Sequence, residues 1–432
     1  MTSAAPAPVP DGPIVPKPTG GILPDGRRRV IVPADVHGRF ATARRLVFAA
    51  LIAVYLFLPF WTLAGERAVL FDLGERRFFL FGWRGNAQDL WLTTLVLLGV
   101  GWGLVTLTTL LGRAWCGWAC PQTVFLDGVF RPIERLVLGK HRDRRGVRHV
   151  VAHALYLAVS LALAAVFLRY FARDWSLLAL PIGAALYADF AWFREQTCVV
   201  VCPYGRLQSA LLDDDSLLVG YDARRGEPRG KLGATGAGDC VDCKRCVAVC
   251  PTGIDIRDGL QLDCVACTAC IDACDEIMDK VGRPRGLVRY DSLRGLRGEP
   301  RRFLRPRALL SIAVLVALLV GVAVAAGRRT DFEANLLRLP GLPYTLEGDS
   351  VTNRFEVHLV NKRATATTFS VRASAGVDAR VIVGRPEIEL APFADRHAPI
   401  IVTVPRGAHP ALEVRVAAGD EERVLGAPVL GP

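Results

Sequence analysis

Five stretches of the chain are apolar enough, and poor enough in charge, to read as membrane-spanning helices: roughly 44–63, 90–111, 149–171, 176–194 and 307–327. At a rise of about 1.5 Å per residue, about 20 apolar residues cross a hydrocarbon core of about 30 Å. The fourth run fits this pattern least well, because it holds Pro181 and Asp189. After residue 328 the pattern changes to an alternation of apolar and polar positions. It is seen in Arg354-Phe355-Glu356-Val357-His358-Leu359-Val360, Thr368-Phe369-Ser370-Val371, Glu387-Ile388-Glu389-Leu390 and Leu412-Glu413-Val414-Arg415-Val416. The β-branched run Ile400-Ile401-Val402-Thr403-Val404 lies between the last two. A period of two marks half-buried strands, and short strands at this spacing predict an all-β immunoglobulin-like sandwich over 328–432. Residues 1–43 are polar and rich in Pro and Gly, and are expected to form a disordered tail.

Charge adds orientation. The formal charge of +11 suggests an anionic partner, but no nucleic-acid motif is present and the basic residues flank the apolar runs. The bilayer, and not nucleic acid, is the expected partner. Arg39, Arg44 and Arg45 precede the first run. The 112–149 loop carries Arg131, Arg135, Lys140, Arg142, Arg144, Arg145 and Arg148, and the 195–306 loop is also rich in Arg. The 64–89 loop mixes Glu66, Asp72, Glu75 and Asp89 with Arg67, Arg76, Arg77 and Arg84. Positive residues stay on the cytoplasmic side of a membrane protein. The N-terminus is therefore expected in the cytoplasm and the sandwich in the periplasm of a multi-pass bacterial inner-membrane protein. Arg27-Arg28-Arg29 runs into a polar segment, so no cleaved signal peptide is expected.

All visible chemistry lies in the twelve cysteines, which fall between the second and fifth apolar runs. On the reducing side of the membrane, metal ligation is favoured over disulfides. Cys240, Cys243, Cys246 and Cys250 follow the spacing C-x2-C-x2-C-x3-C, with Pro251 after them, and Cys264, Cys267, Cys270 and Cys274 repeat it. This is the spacing of a bacterial two-cluster ferredoxin, in which the fourth Cys of each run ligates the other cluster. Cys240, Cys243, Cys246 and Cys274 are thus expected to hold one [4Fe–4S] cluster, and Cys264, Cys267, Cys270 and Cys250 the second. Two matched quartets are far more specific than a lone C-x2-C, although thiolates also suit zinc. Asp275 stands where a second Pro is usual, and is expected to loosen the turn after Cys274.

Two shorter motifs, Cys116-Gly117-Trp118-Ala119-Cys120-Pro121 and Cys198-Val199-Val200-Val201-Cys202-Pro203, follow the second and fourth apolar runs. Residues four apart on a helix share a face. If the two helices are neighbours, Cys116, Cys120, Cys198 and Cys202 converge as redox thiols or ligands for Cu(I), Zn(II) or another iron–sulfur centre. Buried free cysteines are the plainer alternative. Of the seven His, only His149 and His153 lie near an apolar run, which argues against membrane haem. Met occurs only at positions 1 and 278, which excludes a Met-rich copper store, and no dinucleotide or P-loop motif is present. Asp189, near the end of its run, has two readings: solvation at the interface, or a role with protons or ions.

The expected organisation is a disordered cytoplasmic tail (1–43), four helices carrying the C-x3-C-P motifs (44–205), a cytoplasmic ferredoxin-like module (206–306), a fifth helix (307–327) and the sandwich (328–432). The segments 115–134, 198–208, 240–274 and 344–362 together resemble the cytochrome c oxidase accessory proteins of the CcoG/FixG/RdxA family. The resemblance implies a membrane polyferredoxin that serves assembly of a cbb-type oxidase. It further implies that the protein reduces Cu(II) to Cu(I) alongside assembly factors or copper chaperones, with an unknown electron donor. A quinol-fed relay of the NapH/NosR type and a non-catalytic assembly scaffold are the alternatives.

Overall fold

The computed structural model describes residues 31–63, 66–74, 77–85, 89–139, 146–172, 177–303, 305–363, 365–376 and 378–432. Lys140, Arg142, Arg144, Arg145, Glu75, Arg76 and most of the expected N-terminal tail lie outside them. The chain folds as two units. Among the described residues, one takes in those from 31 to 74, 79–82 and those from 93 to 322; the other takes in 77–78, those from 83 to 92 and those from 323 to 432.

The helices of the first unit include α1 (Arg39–Phe57), α2 (Leu90–Leu111, shared with the second unit at its start), α3 (Val147–Arg169), α4 (Ala179–Tyr187), α5 (Ala269–Lys280) and α6 (Pro306–Gly327, shared with the second unit at its end). Among the described residues four helices are long and apolar enough to span a membrane: Arg39–Phe60, Trp91–Leu111, Val147–Arg169 and Pro306–Gly327. They leave large apolar side chains bare, such as Leu97, Leu157, Leu310 and Leu319, as lipid-facing helices do. Some of their polar groups bond to a neighbouring helix, which a bilayer favours. Trp102 Nε1 donates to the Ser311 carbonyl at 3.0 Å, and Tyr55 Oη to the Leu163 carbonyl at 2.9 Å.

Two expectations differ from the fold. The fourth apolar run forms the shorter helix Ala179–Phe193, whose second half, Ala188–Phe193, widens to a π-helix. Arg194 then takes a left-handed backbone (φ 53°) and ends it. The first helix begins at Arg39, inside the expected tail, because the ferredoxin module caps it. The backbone N–H groups of Phe40 and Ala41 donate to the Asp272 carboxylate at 3.2 and 2.7 Å. A carboxylate at a helix N-terminus satisfies orphan donors and opposes the dipole. Residues 34 and 35 also contact this module: Ala34 N–H donates to the Ala248 carbonyl, and Arg245 to the Asp35 carbonyl.

The module itself is framed by a two-stranded antiparallel sheet, β1 (Leu218–Tyr221) with β2 (Val288–Asp291). Between these strands the chain forms two irregular loops and α5. The buried core of the module is small and includes Ile254, Ile271, Met278 and Leu287 together with Cys240 and Cys246.

The second unit is all-β over its C-terminal part. Its strands are β3 (Phe332–Arg338), β4 (Thr345–Glu347), β5 (Ser350–Asn361), β6 (Thr367–Ser374), β7 (Arg380–Val383), β8 (Glu387–Leu390), β9 (Asp395–Pro405), β10 (Ala411–Ala418) and β11 (Glu421–Pro428). One sheet runs β7-β9-β5-β3, with β4 also paired to β5; the other runs β8-β6-β10-β11. The alternation read from the sequence places Val357, Leu359, Phe369, Val371, Ile400, Val402, Val414 and Val416 in one continuous core.

Candidate iron–sulfur and thiol site

The two cysteine runs build the same loop twice. In the first, Asp242 and Lys244 flank Cys243 with positive φ (51° and 53°); in the second, Ala266 and Thr268 flank Cys267 with φ of 52° and 62°. Four non-glycine residues in the left-handed region are a local cost. Its purpose is visible in the result, since each loop folds around a small cavity. Cys240, Cys243, Cys246 and Cys274 line one. Cys250, Cys264, Cys267 and Cys270 line the other, where Cys246 also reaches the wall. The fourth Cys of each run thus faces the cavity of the opposite run.

This donor set fits cubane clusters better than zinc. Zinc–sulfur bonds of about 2.3 Å place the sulfurs of a tetrahedral site roughly 3.8 Å apart. Among the described residues no three cysteine sulfurs lie within 4.8 Å of one another. A cluster spreads its four thiolates around a larger body. Burial pushes the thiols of Cys246 and Cys267 up to about 11 and those of Cys264 and Cys274 up to about 12, and raises Cys270 well above its ordinary value. Bare thiolates are therefore costly here, and iron would supply the compensating charge. Cations stand ready on the protein side. The Arg257 guanidinium lowers the pKa of Cys246, and Arg44 does the same for Cys267. Arg257 is held by Asp242 and Asp255 at 2.6 Å each.

The first C-x3-C-P motif sits directly against the second loop, and Arg113 links the second motif to it. Cys116 lies in the short helix Ala114–Trp118, whereas Cys120 is an extended N-cap to Pro121–Phe125. Cys198 lies in a π-helical turn, Thr197–Val201, and Cys202 is again an extended N-cap, here to Pro203–Leu211. The two cysteines of each motif therefore do not share one continuous helix face, as expected from spacing. The proline after the second Cys disfavours helix at that Cys and breaks the run. The four thiols are nonetheless near enough that ionising Cys116, Cys120 or Cys202 would raise the pKa of Cys198. Burial raises Cys116 to about 11 and Cys198 to about 12, and also raises Cys120.

Gly117 allows this approach. A Cβ there would lie 2.4 Å from the Ala266 carbonyl oxygen, between Cys264 and Cys267. Arg113 ties three segments together. It donates to the carbonyls of Leu262 and Cys264 in the second loop, and to that of Gly205 after the second C-x3-C-P. Trp118 Nε1 donates to Tyr290 Oη at 2.9 Å, and Arg44 Nε to the Gly117 carbonyl at 3.0 Å. Gln208 is fully buried. Its Oε1 accepts from Cys116 Sγ at 3.2 Å, while its Nε2 has no partner. A buried donor beside the thiols still lacks an acceptor, which a ligated sulfur would provide. Asp189, half-buried, accepts from Gln122 at 3.2 Å and from Thr197, next to Cys198.

Asp275 does not loosen a turn, because Cys274 and Asp275 lie within α5. Its carboxylate accepts from the Gly286 N–H at 2.9 Å and ties the helix to the start of β2. Sequence reasoning missed Arg44, Arg113, Gln208 and Asp272 as parts of the site. Of these only Gln208 had a visible signal, by lying inside the second motif segment.

Three family models match the chain: a 4Fe-4S binding domain over residues 92–145, a 4Fe-4S dicluster domain over 193–293, and the IG-like fold at the C-terminus of FixG over 322–425. Protein RdxA of Cereibacter sphaeroides is 34% identical, covering 93% of this chain and 96% of its own. The chain belongs to the FixG/RdxA family. Nitrogen fixation protein FixG of Rhizobium meliloti is 33% identical over 88% of this chain and 87% of its own, and Protein RdxB of Cereibacter sphaeroides is 33% identical over 91% and 90%. With its iron–sulfur domains and apolar helices, this FixG/RdxA member is a membrane iron–sulfur electron-transfer protein.

Proposed function

We propose that this FixG/RdxA protein carries single electrons to the thiols Cys116, Cys120, Cys198 and Cys202, where Cu(II) is reduced to Cu(I) for insertion into a cbb-type oxidase. The observation that carries this reading is the seating of the C-x3-C-P motifs on the second cysteine loop, through Gly117 and Arg113. Two [4Fe–4S] clusters, when bound, supply the one-electron chemistry. Cys240, Cys243, Cys246 and Cys274 would hold one, and Cys264, Cys267, Cys270 and Cys250 the other. Soft thiolates favour Cu(I) over Cu(II), so binding at the four thiols helps the reduction. Arg113 fixes the spacing between that site and the second loop. The charge pattern supports a cytoplasmic N-terminus and cysteine face and a periplasmic sandwich. Assembly factors or copper chaperones would receive the ion.

In the test, reduced protein freed of excess reductant is mixed anaerobically with Cu(II) and a Cu(I)-selective chelator. One Cu(I) chelate should form for each cluster oxidised, with the free-thiol content unchanged. Copper reduction without cluster oxidation would refute the reading, and absence of any turnover would favour a scaffold.

Two observations favour variants of this scheme. The 4Fe-4S binding domain match over 92–145 includes Cys116 and Cys120, which supports a further iron–sulfur centre at the four thiols. A cavity of about 1000 Å³ beside α3 and the π-helical turn after α4 is lined by His149, His153, Tyr187, Trp192, Glu134 and Arg194. Apolar walls with proton-accepting groups suit a quinol, which supports a quinol-fed relay.

A further inference from the structure

The sandwich carries a group of side chains that the electron-transfer reading does not use. His358 on β5 and His397 on β9 are direct cross-strand partners. Their neighbours Val357, Leu359 and Ala398 point into the core, so both imidazoles stand on the outer face of the sheet. The rings stack with centroids 4.4 Å apart and planes at 15°. Asp395 joins them, with Oδ2 3.0 Å from His358 Nε2. On the other side Glu356 Oε1 lies 3.2 Å from His397 Nδ1.

We propose that His358, His397 and Asp395 form a binding site for a divalent transition-metal ion, Cu(II) foremost. One ligand atom from each of the three lies within 4.8 Å of the others, and no other group of three His, Cys, Asp or Glu does so among the described residues. Metal–imidazole bonds of about 2.0–2.1 Å put opposite ligands of one ion roughly 4.2 Å apart. A small rotation of the more exposed His397 and Asp395 side chains closes the difference. Glu356 plays the orienting part: by taking Nδ1 of His397 it steadies the ring and leaves Nε2 for the ion. Imidazole and carboxylate donors suit Cu(II) and Zn(II), and the divalent series places Cu(II) highest. No sulfur is present, so this site has the opposite preference to the cysteine thiols, which favour Cu(I). Two carboxylates beside the two imidazoles offset the charge of a divalent ion.

The proposal is independent of copper reduction by the clusters, and its test separates the two. Full-length protein with oxidised clusters is titrated with Cu(II) and followed by EPR. Copper reduced at thiols is silent, so the signal reports the sandwich. The expected spectrum carries hyperfine structure from two nitrogens at one Cu(II) per chain, and only a large excess of Zn(II) should displace it. His358→Gln/His397→Gln should lose that pattern and weaken binding on the order of 100-fold, with iron content and sandwich melting unchanged. Asp395→Asn should keep two nitrogens but bind on the order of tenfold more weakly. An unchanged two-nitrogen signal and affinity in either variant would overturn the site, as would its absence from the wild-type protein.

Discussion

The ferredoxin module and the β-sandwich are stabilised in different ways. The sandwich closes around an apolar core in which Phe332, Phe355, Phe369 and Ile400 are fully buried. The module buries far fewer apolar side chains, counts Cys240 and Cys246 among them, and holds residues 242, 244, 266 and 268 in left-handed conformations. Its loops follow the geometry of the eight thiols and not the packing of side chains. The sandwich is therefore expected to fold by burial alone, whereas the module needs its metal.

Iron removal should bring out this difference most strongly. Chelation under reducing conditions should open residues 240–291 to hydrogen exchange while residues 350–418 stay protected. Equal protection of both would show that the module's core suffices. The converse change is Phe355→Ala, which should cost the sandwich about 3–5 kcal/mol, read as a lower melting transition, and leave the iron content unchanged. Next in size is Gly117→Val. The added side chain meets the backbone of the second loop, so a loss of roughly 1–3 kcal/mol and selective damage to one cluster are expected, seen by EPR. Cys250→Ser should damage the cluster of the second run, and Cys274→Ser that of the first. Damage confined to each residue's own run would refute crossed ligation. The smallest effect is electrostatic. Arg44→Met removes a cation beside Cys267, which should lower the potential of that cluster by roughly 50 mV in a redox titration, with little loss of iron.

Much of the architecture was legible because its signals are periodic. The helices at 90–111 and 307–327 and the strands around 354–360 and 412–416 follow directly from their apolar patterns. The eight ferredoxin cysteines were visible because ligation demands fixed spacing. What stayed hidden depends on distant pairs. Asp272 caps α1 from more than 200 positions away, and Arg113 reaches Cys264 across 151. His358 and His397 become neighbours only through the register of β5 with β9. The early start of α1 has the same cause, since Arg39 joins a helix once its N–H groups find a carboxylate. The C-x3-C-P motifs were misread as single helix faces because a spacing of four outweighed the effect of Pro121 and Pro203 on the residue before them.

The central claim is that electrons leave through the four C-x3-C-P thiols. It is tested most directly by rapid mixing of reduced protein with Cu(II), watching the cluster absorbance. The comparison is between wild type and the combined Cys116→Ser, Cys120→Ser, Cys198→Ser and Cys202→Ser variant, with the iron of the eight ferredoxin cysteines confirmed in both. The account predicts a fast oxidation phase in the wild type that the variant lacks. Equal rates in the two proteins would contradict it, because copper would then take its electron from the clusters without the thiols.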